Sequence, residues 1–504
     1  MANAIPGQKI KHVFVLMLEN RSFDHMLGFS AITGVDAITK QPTAINGLTG
    51  KESNSYLGVT YPVKQPADFV MPVDPGHEFA DTVEQLCGPD KTYVPGKSYP
   101  PINNSGFVKN YVTTRTPSEG HPRDKFGEVM MCYSPEQLPV LNALAREFAL
   151  CDNWFSSMPG PTWPNRFFLH AASSGGLDHS PSTKEIALWE GRHGFAFQNG
   201  SIFDRLNRSW RIYRGENYIS DTFPNVAALK GIQFYEANPY HTFATDVASN
   251  NYPWKYTFIE PSYGNILNNS YKGGTSQHPL DDVTSGESLI KDVYETLRKS
   301  PLWNNSLLII TWDEHGGFYD HVAPPKAVSP GDKIVTDGDL NRSGFPFDQY
   351  GVRVPALVVS PYIPKNTIDH RLYDHSSVPA TIEKIFGLTP LTQRDANAND
   401  VTPLLSLAAP RNSPLTLPEP ANSGTARPAV AAELEIQPAS DQPVNLGNVP
   451  GFLQAALSGD LAMSPEAEHP AILTRFKRIR TMKDAYKYMN EVKQKAETRS
   501  LIRK

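Results

Sequence analysis

Five short and uninterrupted apolar runs are the feature that most constrains how this 504-residue chain can fold. A strand that is buried on both faces lacks alternating polar side chains, and it therefore appears as a continuous apolar run. Such strands are typical of parallel sheets whose two faces are covered by helices. The runs lie at residues 13–18, 148–151, 256–259, 307–311 and 355–359. They predict a largely parallel central sheet.

Helix signals separate these runs. A capping box, which pairs a Ser or Thr with a Gln or Glu three residues later, is formed by Ser134 and Gln137 and again by Thr284 and Glu287. A proline follows Ser134 and suits the first turn of a helix. A third helix is expected to begin at residue 376 or 377 and to end at Phe386. Strands that alternate with helices predict an α/β fold, a three-layer α/β/α sandwich.

Charge and cysteine content exclude several classes of protein. Lysine and arginine total 47 and the acids total 52, so the net charge of −5 is too small to favour nucleic acid as a partner. Only three cysteines occur, and none forms a CxxC pair, which argues against a disulfide framework and against a thiolate zinc site. The apolar run at 13–18 is too short for a signal peptide or a membrane span. Localisation and oligomeric state stay open.

The last hundred residues differ in composition from the rest. Residues 409–450 are rich in Pro, Ala and Ser and predict an extended linker or surface wrap between a domain at 1–408 and a helical segment at 451–504. Residues 471–504 hold eleven lysines or arginines and three acids. One apolar stripe at helical spacing comprises Ile472, Phe476, Ile479, Met482, Tyr486, Met489 and Val492. This basic helix either packs on the acidic body or binds an anionic membrane or a second copy.

Polar residues follow two of the predicted strands directly. Glu19 and Asn20 come after the first run, and Asp313 and Glu314 come after the fourth. In an open parallel sheet the carboxyl ends of the strands meet at one edge, where ligands bind. Carboxylate and amide oxygens suit hard divalent cations such as Mg²⁺, Ca²⁺ or Mn²⁺. Either pair alone is equally well explained as a solvated turn, but their coincidence at one edge favours a cation site.

Thr162 is a candidate nucleophile. Pro164 suits the first turn of a helix, so Thr162 is expected at a helix N-terminus, where free amides and the helix dipole favour a phosphate. A hydroxyl held there beside a cation can attack phosphorus. Taken alone, the segment is better explained as an ordinary N-cap.

An ordered set of motifs over residues 10–390 resembles the phosphoesterase family, which includes non-specific phospholipases C and acid phosphatase A enzymes within the alkaline phosphatase superfamily. The motifs are LENRSFDH at 18–25, DPGHEF at 74–79, PTWPNR at 161–166, FIEP at 258–261, QHP at 277–279, WDEHGGFYDH at 312–321 and DHSS at 374–377. The resemblance implies an alkaline phosphatase-like fold and metal-dependent hydrolysis of phosphoesters.

Residue roles follow from the same resemblance. It makes Thr162 the nucleophile that forms a phosphothreonine intermediate, and it implies one divalent metal ion, with Ca, Mg, Mn and Zn all open. The implied metal ligands are Glu19, Asn20, Thr162, Asp313 and Glu314. The residues expected to act on the phosphoryl group are His77, His278 and Asn20 as catalytic groups and His315 and Arg166 as substrate-binding groups. His77 or His278 is expected to donate the proton to the leaving oxygen.

The substrate stays divided between two kinds of phosphoester. A phospholipase C cuts the headgroup from a phospholipid, whereas an acid phosphatase or a broad phosphomonoesterase takes a phosphorylated small molecule. A lipid substrate needs an apolar approach, which aromatic residues near Thr162 supply unless they belong to the core. The basic C-terminal helix departs from the β domains expected of long bacterial phospholipases, and peripheral membrane contact through it is one alternative. A non-catalytic lipid- or phosphate-binding protein is the remaining alternative.

Overall fold

A computed structural model of the chain describes residues 9–114, 125–192, 194–333, 340–425 and 440–502. Fourteen strands are described: β1 (His12–Leu18), β2 (Thr33–Asp36), β3 (Pro42–Ala44), β4 (Ser53–Tyr56), β5 (Val59–Pro62), β6 (Ala149–Cys151), β7 (Trp154–Phe155), β8 (Trp210–Arg214), β9 (Asn238–Pro239), β10 (Tyr256–Ile259), β11 (Ser306–Trp312), β12 (Ala356–Val359), β13 (Thr367–Asp369) and β14 (Tyr373–Asp374). The α-helices are α1 (Phe23–Leu27), α2 (Phe79–Cys87), α3 (Phe107–Thr113), α4 (Pro139–Glu147), α5 (Thr162–Ala171), α6 (Thr183–Arg192), α7 (Ile202–Arg205), α8 (Phe243–Val247), α9 (Val283–Lys299), α10 (Ser377–Phe386), α11 (Gln393–Asn397), α12 (Val449–Ala462), α13 (His469–Phe476) and α14 (Met482–Thr498).

A ten-stranded sheet forms the centre of the molecule, in the order β3-β2-β13-β6-β12-β11-β1-β10-β8-β9. All five predicted apolar runs lie in it, and the expectation of a largely parallel sheet is confirmed. Strand β12 differs, because it pairs antiparallel with both β11 and β6. A buried run predicts a strand covered on both faces, but it does not fix the direction in which the strand runs.

Helices cover both faces of the sheet. Val15 pairs with Phe258 in adjacent parallel strands, so their side chains share one face, and Phe258 contacts His170 of α5 there. Phe14 points to the opposite face, where it contacts Phe243 of α8. Helix α8 contacts α9, α9 contacts α4, and α5 contacts α10. The predicted α/β/α sandwich is therefore confirmed.

Two of the predicted helix starts are wrong by a few residues. Helix α4 begins at Pro139, because the Gln137 side chain instead accepts the N–H of Ser134 at 3.1 Å in the preceding turn. Helix α9 has Asp282 as its N-cap, accepting the N–H of Thr284 at 2.9 Å. The third start is confirmed, since α10 runs to Phe386 after a cap at Ser376.

The C-terminal region forms three helices, α12, α13 and α14. The predicted apolar stripe is divided between α13 and α14 by a break at residues 477–481. Thr481, the last residue of the break, forms a capping box with Asp484 in the first turn of α14. Phe476, Met482 and Met489 of the stripe are fully buried in the core that surrounds the sheet. This burial favours packing of the stripe on the body over its use as a membrane-binding surface.

Part of the predicted linker runs along the body that precedes it in the chain. Arg411 forms an ion pair with Glu147 of α4 at 2.6 Å, and the backbone carbonyl of Pro414 accepts the hydroxyl of Tyr294 of α9 at 2.6 Å. Residues 426–439 of the linker lie outside the described residues. The division into 1–408, 409–450 and 451–504 stays a prediction.

Candidate active site

The carboxyl ends of β1 and β11 bring together four of the predicted site residues. The two strands are adjacent and parallel, and their last residues are paired with each other. Glu19 and Asn20 therefore lie beside Asp313 and Glu314 at one edge of the sheet. All four side chains are fully buried. The sequence expectation that these residues meet at a strand edge agrees with this placement.

Two tight turns shape this edge. Asn20 has a φ of 65°, and its N–H donates to Asp313 Oδ1 at 3.1 Å. The same oxygen accepts the N–H of Glu314 at 2.7 Å. Gly316 is required next to this turn, because a Cβ there would lie 2.2 Å from the carbonyl oxygen of Asn20. Backbone donors thus orient the carboxylate of Asp313.

Thr162 is the first residue of α5, as the sequence predicts, and Pro161 is the N-cap. Its Oγ1 accepts a hydrogen bond from Asn20 Nδ2 at 3.2 Å, and the same nitrogen donates to Glu314 Oε1. The hydroxyl is fully buried at the helix N-terminus, where the free amides and the dipole favour an anion. Asn20 therefore connects the candidate nucleophile with one of the carboxylates.

Arg166 lies one turn further along α5 and binds the acidic edge. Its Nε donates to Asp313 Oδ2 at 2.9 Å, and its Nη2 lies 3.9 Å from Glu19 Oε2. Burial lowers the pKa of this guanidinium, but Tyr263 and the surrounding carboxylates raise it by more than burial lowers it. The net shift of the pKa is therefore upward. Arg166 stays charged. In the structure it therefore contacts the candidate metal ligands, whereas the resemblance implies a role in substrate binding.

Burial and mutual repulsion act on the carboxylates themselves. Burial raises the pKa of Glu19 well above its usual range, and the neighbouring Asp313 raises it further. Burial also raises the pKa of Asp313 to about 6, although Arg166 opposes that shift. Glu314 differs, because burial raises its pKa but His77 and His315 lower it more. The raised pKa values of Glu19 and Asp313 show that the positive charge of Arg166 does not fully compensate these two carboxylates.

His77 is more exposed than the other two histidines at the site. Its Nδ1 is 3.4 Å from Glu314 Oε1, and 15% of its side chain is exposed. Burial lowers the pKa of His77, but Glu314 and Asp74 raise it more, so the pKa is about 9. The imidazole beside these carboxylates is therefore protonated at neutral pH.

His278 is held differently. Its Nδ1 accepts the N–H of Leu280 at 3.2 Å, so its Nε2 carries the proton and lies 3.7 Å from Asp74 Oδ1. Burial, followed by the charges of His77 and Arg21, lowers the pKa of His278 well below its usual range. The ring is stacked on Tyr271 with centroids 3.4 Å apart and planes inclined by 4°. His278 is a neutral hydrogen-bond donor.

His315 is fixed between two partners. Its Nε2 lies 2.7 Å from Gln85 Oε1, and its Nδ1 lies 3.3 Å from Glu314 Oε2. It is almost fully buried, with Phe107 in edge contact. In this arrangement His315 orients Glu314, whereas the resemblance implies a substrate-binding role.

The donor set fits a hard divalent cation. The side-chain amide oxygen of Asn20, Oδ1, is buried and has no hydrogen-bond partner among the described residues. The nitrogen of the same amide contacts Thr162 and Glu314, and Arg166 contacts both Glu19 and Asp313. The hydroxyl and the three carboxylates of these residues are all oxygen ligands. A doubly charged cation would also lower the pKa of Glu19 and of Asp313 and so favour their ionised forms. These residues would hold the ion that the resemblance implies.

A separate cluster of acidic and histidine side chains has a different explanation. The ligand atoms of Asp24, Asp320 and His321 lie within 4.8 Å of one another. Arg353 occupies this cluster, with ion pairs to Asp24 at 3.0 Å and to Asp320 at 2.9 Å. The arginine supplies the positive charge that a cation would bring, so this cluster is a salt-bridge network.

Sequence reasoning assigned no role to several residues that complete the site. Asp74 lies within the DPGHEF motif, three residues before His77. Its place in the same motif as His77 was the sequence feature that could have indicated a role at the site. Ser276 donates its hydroxyl to Glu19 Oε1 at 3.1 Å. Tyr271 and Asn448 lie outside every motif, and no pattern in the sequence indicated them.

Comparison with known proteins identifies the class of enzyme. Residues 10–389 match the model of the Phosphoesterase family. The protein is a phosphoric ester hydrolase. The chain belongs to the phosphoesterase family.

Its relatives come from plants and bacteria. Non-specific phospholipase C6 of Arabidopsis thaliana is 38% identical over 447 residues, covering 84% of this chain and 78% of the relative. Phospholipase C B of Mycobacterium tuberculosis is 29% identical, covering 82% of this chain and 81% of the relative. Among solved structures, a protein in the alkaline phosphatase superfamily from Vibrio parahaemolyticus is 16% identical, with a TM-score of 0.30 over 52% of this chain and 64% of that chain.

Proposed function

We propose that this protein is a metal-dependent phospholipase C that cleaves phospholipid headgroups through Thr162. The observation that carries the proposal is the position of the Thr162 hydroxyl, at a helix N-terminus and 3.2 Å from Asn20 Nδ2, beside the buried carboxylates. The phospholipase C names of its relatives support the choice of substrate. A bound divalent cation would neutralise charge on the phosphoryl oxygens and favour the ionised threonine.

The residues of the chain then act in two steps. Thr162 Oγ1 gives up its proton to solvent and attacks phosphorus in line with the leaving alcohol, the diacylglycerol. The bond from phosphorus to that alcohol breaks as the bond to Thr162 forms, which leaves a phosphothreonine diester that still carries the headgroup. His77, which is protonated and is the most exposed histidine at the site, donates a proton to the leaving oxygen. His278 donates a hydrogen bond through Nε2 to a phosphoryl oxygen. Water then attacks phosphorus and breaks its bond to Thr162 Oγ1, which releases the phosphorylated headgroup, and a proton from that water restores the threonine hydroxyl.

A phosphomonoesterase is the second candidate. The aromatic residues near Thr162 are core residues, at most 2% exposed: Trp154, Phe155, Trp163, Phe167 and Phe168. They therefore present no apolar approach surface to a lipid. A small phosphorylated substrate needs none, and the same groups at the site would hydrolyse it.

Replacement of Thr162 tests the nucleophile. We expect Thr162→Ala to lower kcat about 10³-fold or more with an unchanged melting temperature, because the attacking oxygen is removed. Thr162→Ser is the matched control, since it keeps a hydroxyl at the same position. Hydrolysis of phosphatidylcholine, other phospholipids and p-nitrophenyl phosphate by the purified protein measures both the variants and the substrate class. Near-normal turnover by Thr162→Ala would end the nucleophile assignment.

Membrane contact through the C-terminal helices also stays a proposal. Helix α14 buries its apolar side, while Lys483 and Lys487 are exposed on the opposite side. These lysines can attract anionic lipid headgroups without unpacking the helix. No helix among the described residues is long and apolar enough to cross a bilayer.

A further inference from the structure

The start of α12 lies directly against the candidate active site, although it is more than 70 residues beyond the last family motif, which ends at residue 377. Asn448 precedes the helix and is 4% exposed. Its side-chain nitrogen, Nδ2, donates to Glu19 Oε2 at 3.4 Å. A residue of the C-terminal region is thus in contact with a candidate metal ligand.

The side chain of Asn448 makes this contact instead of capping its own helix. Asparagine is among the best N-cap residues, because its side-chain oxygen accepts an N–H of the first turn. Asn448 occupies the N-cap position of α12 without any such bond. Its amide is therefore available to Glu19, and its replacement would remove no capping hydrogen bond.

The backbone of Asn448 supports a second site residue. Its N–H donates to the hydroxyl of Tyr271 at 3.2 Å, and the ring of Tyr271 is stacked on His278. The preceding Gly447 has a φ of 51°, and a Cβ there would lie 2.3 Å from that hydroxyl. The chain can approach Tyr271 this closely only because residue 447 is glycine.

We infer that Asn448 is a positioning residue, which orients Glu19 through its side chain and His278 through Tyr271. This inference rests on the proposed metal-dependent function. Glu19 Oε1 is already bound by Ser276, so Asn448 fixes the second oxygen and with it the direction in which the carboxylate faces. Groups that orient ligands in this way change metal affinity and activity about 10- to 100-fold when they are removed.

The test compares divalent cation binding and steady-state kinetics in the full-length chain. We expect Asn448→Ala to raise the Kd for Mn²⁺, measured by calorimetry, about 10- to 100-fold and to lower kcat by a similar factor. KM should stay within about twofold of the wild-type value, since Asn448 contacts Glu19 and not the substrate. Kd and kcat within about twofold of wild type would overturn the inference. Asn448→Ser, whose hydroxyl is too short to reach Glu19, tests the same expectation if the alanine variant fails to fold.

Two further variants separate positioning from general stability. Tyr271→Phe keeps the stacked ring but removes the hydroxyl that accepts the Asn448 N–H, and we expect it to lower kcat by about threefold or more. Thr481→Ala removes the capping box of α14, in the same C-terminal region and away from the site. It should leave the Mn²⁺ Kd within about twofold of wild type. An equal loss of Mn²⁺ affinity in Thr481→Ala would overturn the positioning role.

Failure of the proposed function would have a different signature. A Thr162→Ala variant that keeps its turnover would contradict the assignment of Thr162 as the nucleophile. It would not affect the test of Asn448, because that test measures the Kd for Mn²⁺. An unchanged Kd in Asn448→Ala contradicts only the positioning role.

Discussion

At the residue scale, single close contacts decide the geometry around Thr162. Gly451 of α12 lies against the ring of Trp163, the neighbour of the candidate nucleophile, and a Cβ at residue 451 would lie only 1.1 Å from Trp163 Cζ2. A rigid indole cannot move aside as a flexible side chain would. The C-terminal region therefore packs against the start of α5 only because residue 451 has no side chain.

This contact predicts the effect of adding one methyl group. We expect Gly451→Ala to lower the free energy of unfolding by about 1–3 kcal/mol, because the added carbon displaces either α12 or Trp163. The kcat should fall as well, because Trp163 directly follows Thr162 in the chain and its displacement would move the candidate nucleophile. Urea unfolding and steady-state kinetics measure the two effects.

Gly191 provides the matched control. It also lies in a helix, α6, but its added Cβ would meet only the end of the Leu473 side chain, at 3.1 Å. Gly191→Ala should therefore be neutral or slightly stabilising, as alanine is the better helix former. Equal stability of Gly451→Ala and the wild type would contradict the packing described for α12.

His179 carries a second prediction, on the pH dependence of stability. It lies 2.9 Å from Asp178 and 3.1 Å from Glu185, with Arg342 nearby. Burial lowers its pKa, but the hydrogen bonds to Asp178 and Glu185 raise it more, to about 9. Because the pKa is raised on folding, the stabilisation is complete below the unfolded pKa of about 6.5 and is lost as the pH rises through 9.

We expect the free energy of unfolding to fall by about 1–3 kcal/mol more in the wild type than in His179→Gln between pH 6.5 and 9. Glutamine keeps a polar side chain but does not titrate. Urea unfolding at several pH values in this range measures the difference. Parallel curves for the two proteins would show that His179 gains no charge-dependent stability.

At the element scale, buried polar side chains join helices that are distant in the chain. The carboxylate of Glu287 in α9 accepts the N–H groups of Val140 and Leu141, each at 2.8 Å, in the first turn of α4. These amides have no partner within their own helix. Glu287 was predicted to cap α9, but it caps α4 instead, and this contact lets α4 begin at Pro139.

Removal of this cap predicts a large loss of stability. Glu287→Ala would leave two buried N–H groups without an acceptor, and each costs about 1–3 kcal/mol. We expect a loss of about 2–5 kcal/mol in the free energy of unfolding, measured by urea denaturation. Lys299→Ala, which removes an exposed i,i+4 ion pair of the same helix, should change it by about 0.5 kcal/mol or less. Equal effects of the two variants would contradict the cap.

At the scale of the whole molecule, the charge of the site predicts its dependence on metal. The carboxylates of Glu19, Asp313 and Glu314 are buried, and Arg166 contacts those of Glu19 and Asp313. A divalent cation that binds there stabilises the folded state by about 3 kcal/mol at a hundred times its Kd. We therefore expect exhaustive chelation to abolish turnover and to lower the melting temperature.

Adding back Mg²⁺, Ca²⁺, Mn²⁺ or Zn²⁺ singly should restore both properties, and the most effective ion identifies the metal. Calorimetry and phosphoester hydrolysis measure the recovery. Full turnover in protein shown by elemental analysis to be free of metal would contradict the proposed metal dependence.

The sequence by itself determined the central layers and the edge at which the site lies. Continuous apolar runs must be buried on both faces, and polar residues that directly follow such runs must lie at the strand ends. Glu19, Asn20, Asp313 and Glu314 could therefore be placed together, and the motifs indicated Thr162 and the histidines.

Only the tertiary structure decided the direction of β12, the division of the terminal stripe into α13 and α14, and the approach of Asn448 to Glu19. Each of these depends on contacts between residues far apart in the chain, and local periodicity carries no information about such contacts. The pairing of Glu287 with α4 has the same origin, because a capping box has the same residue pattern whether its acid caps its own helix or another one.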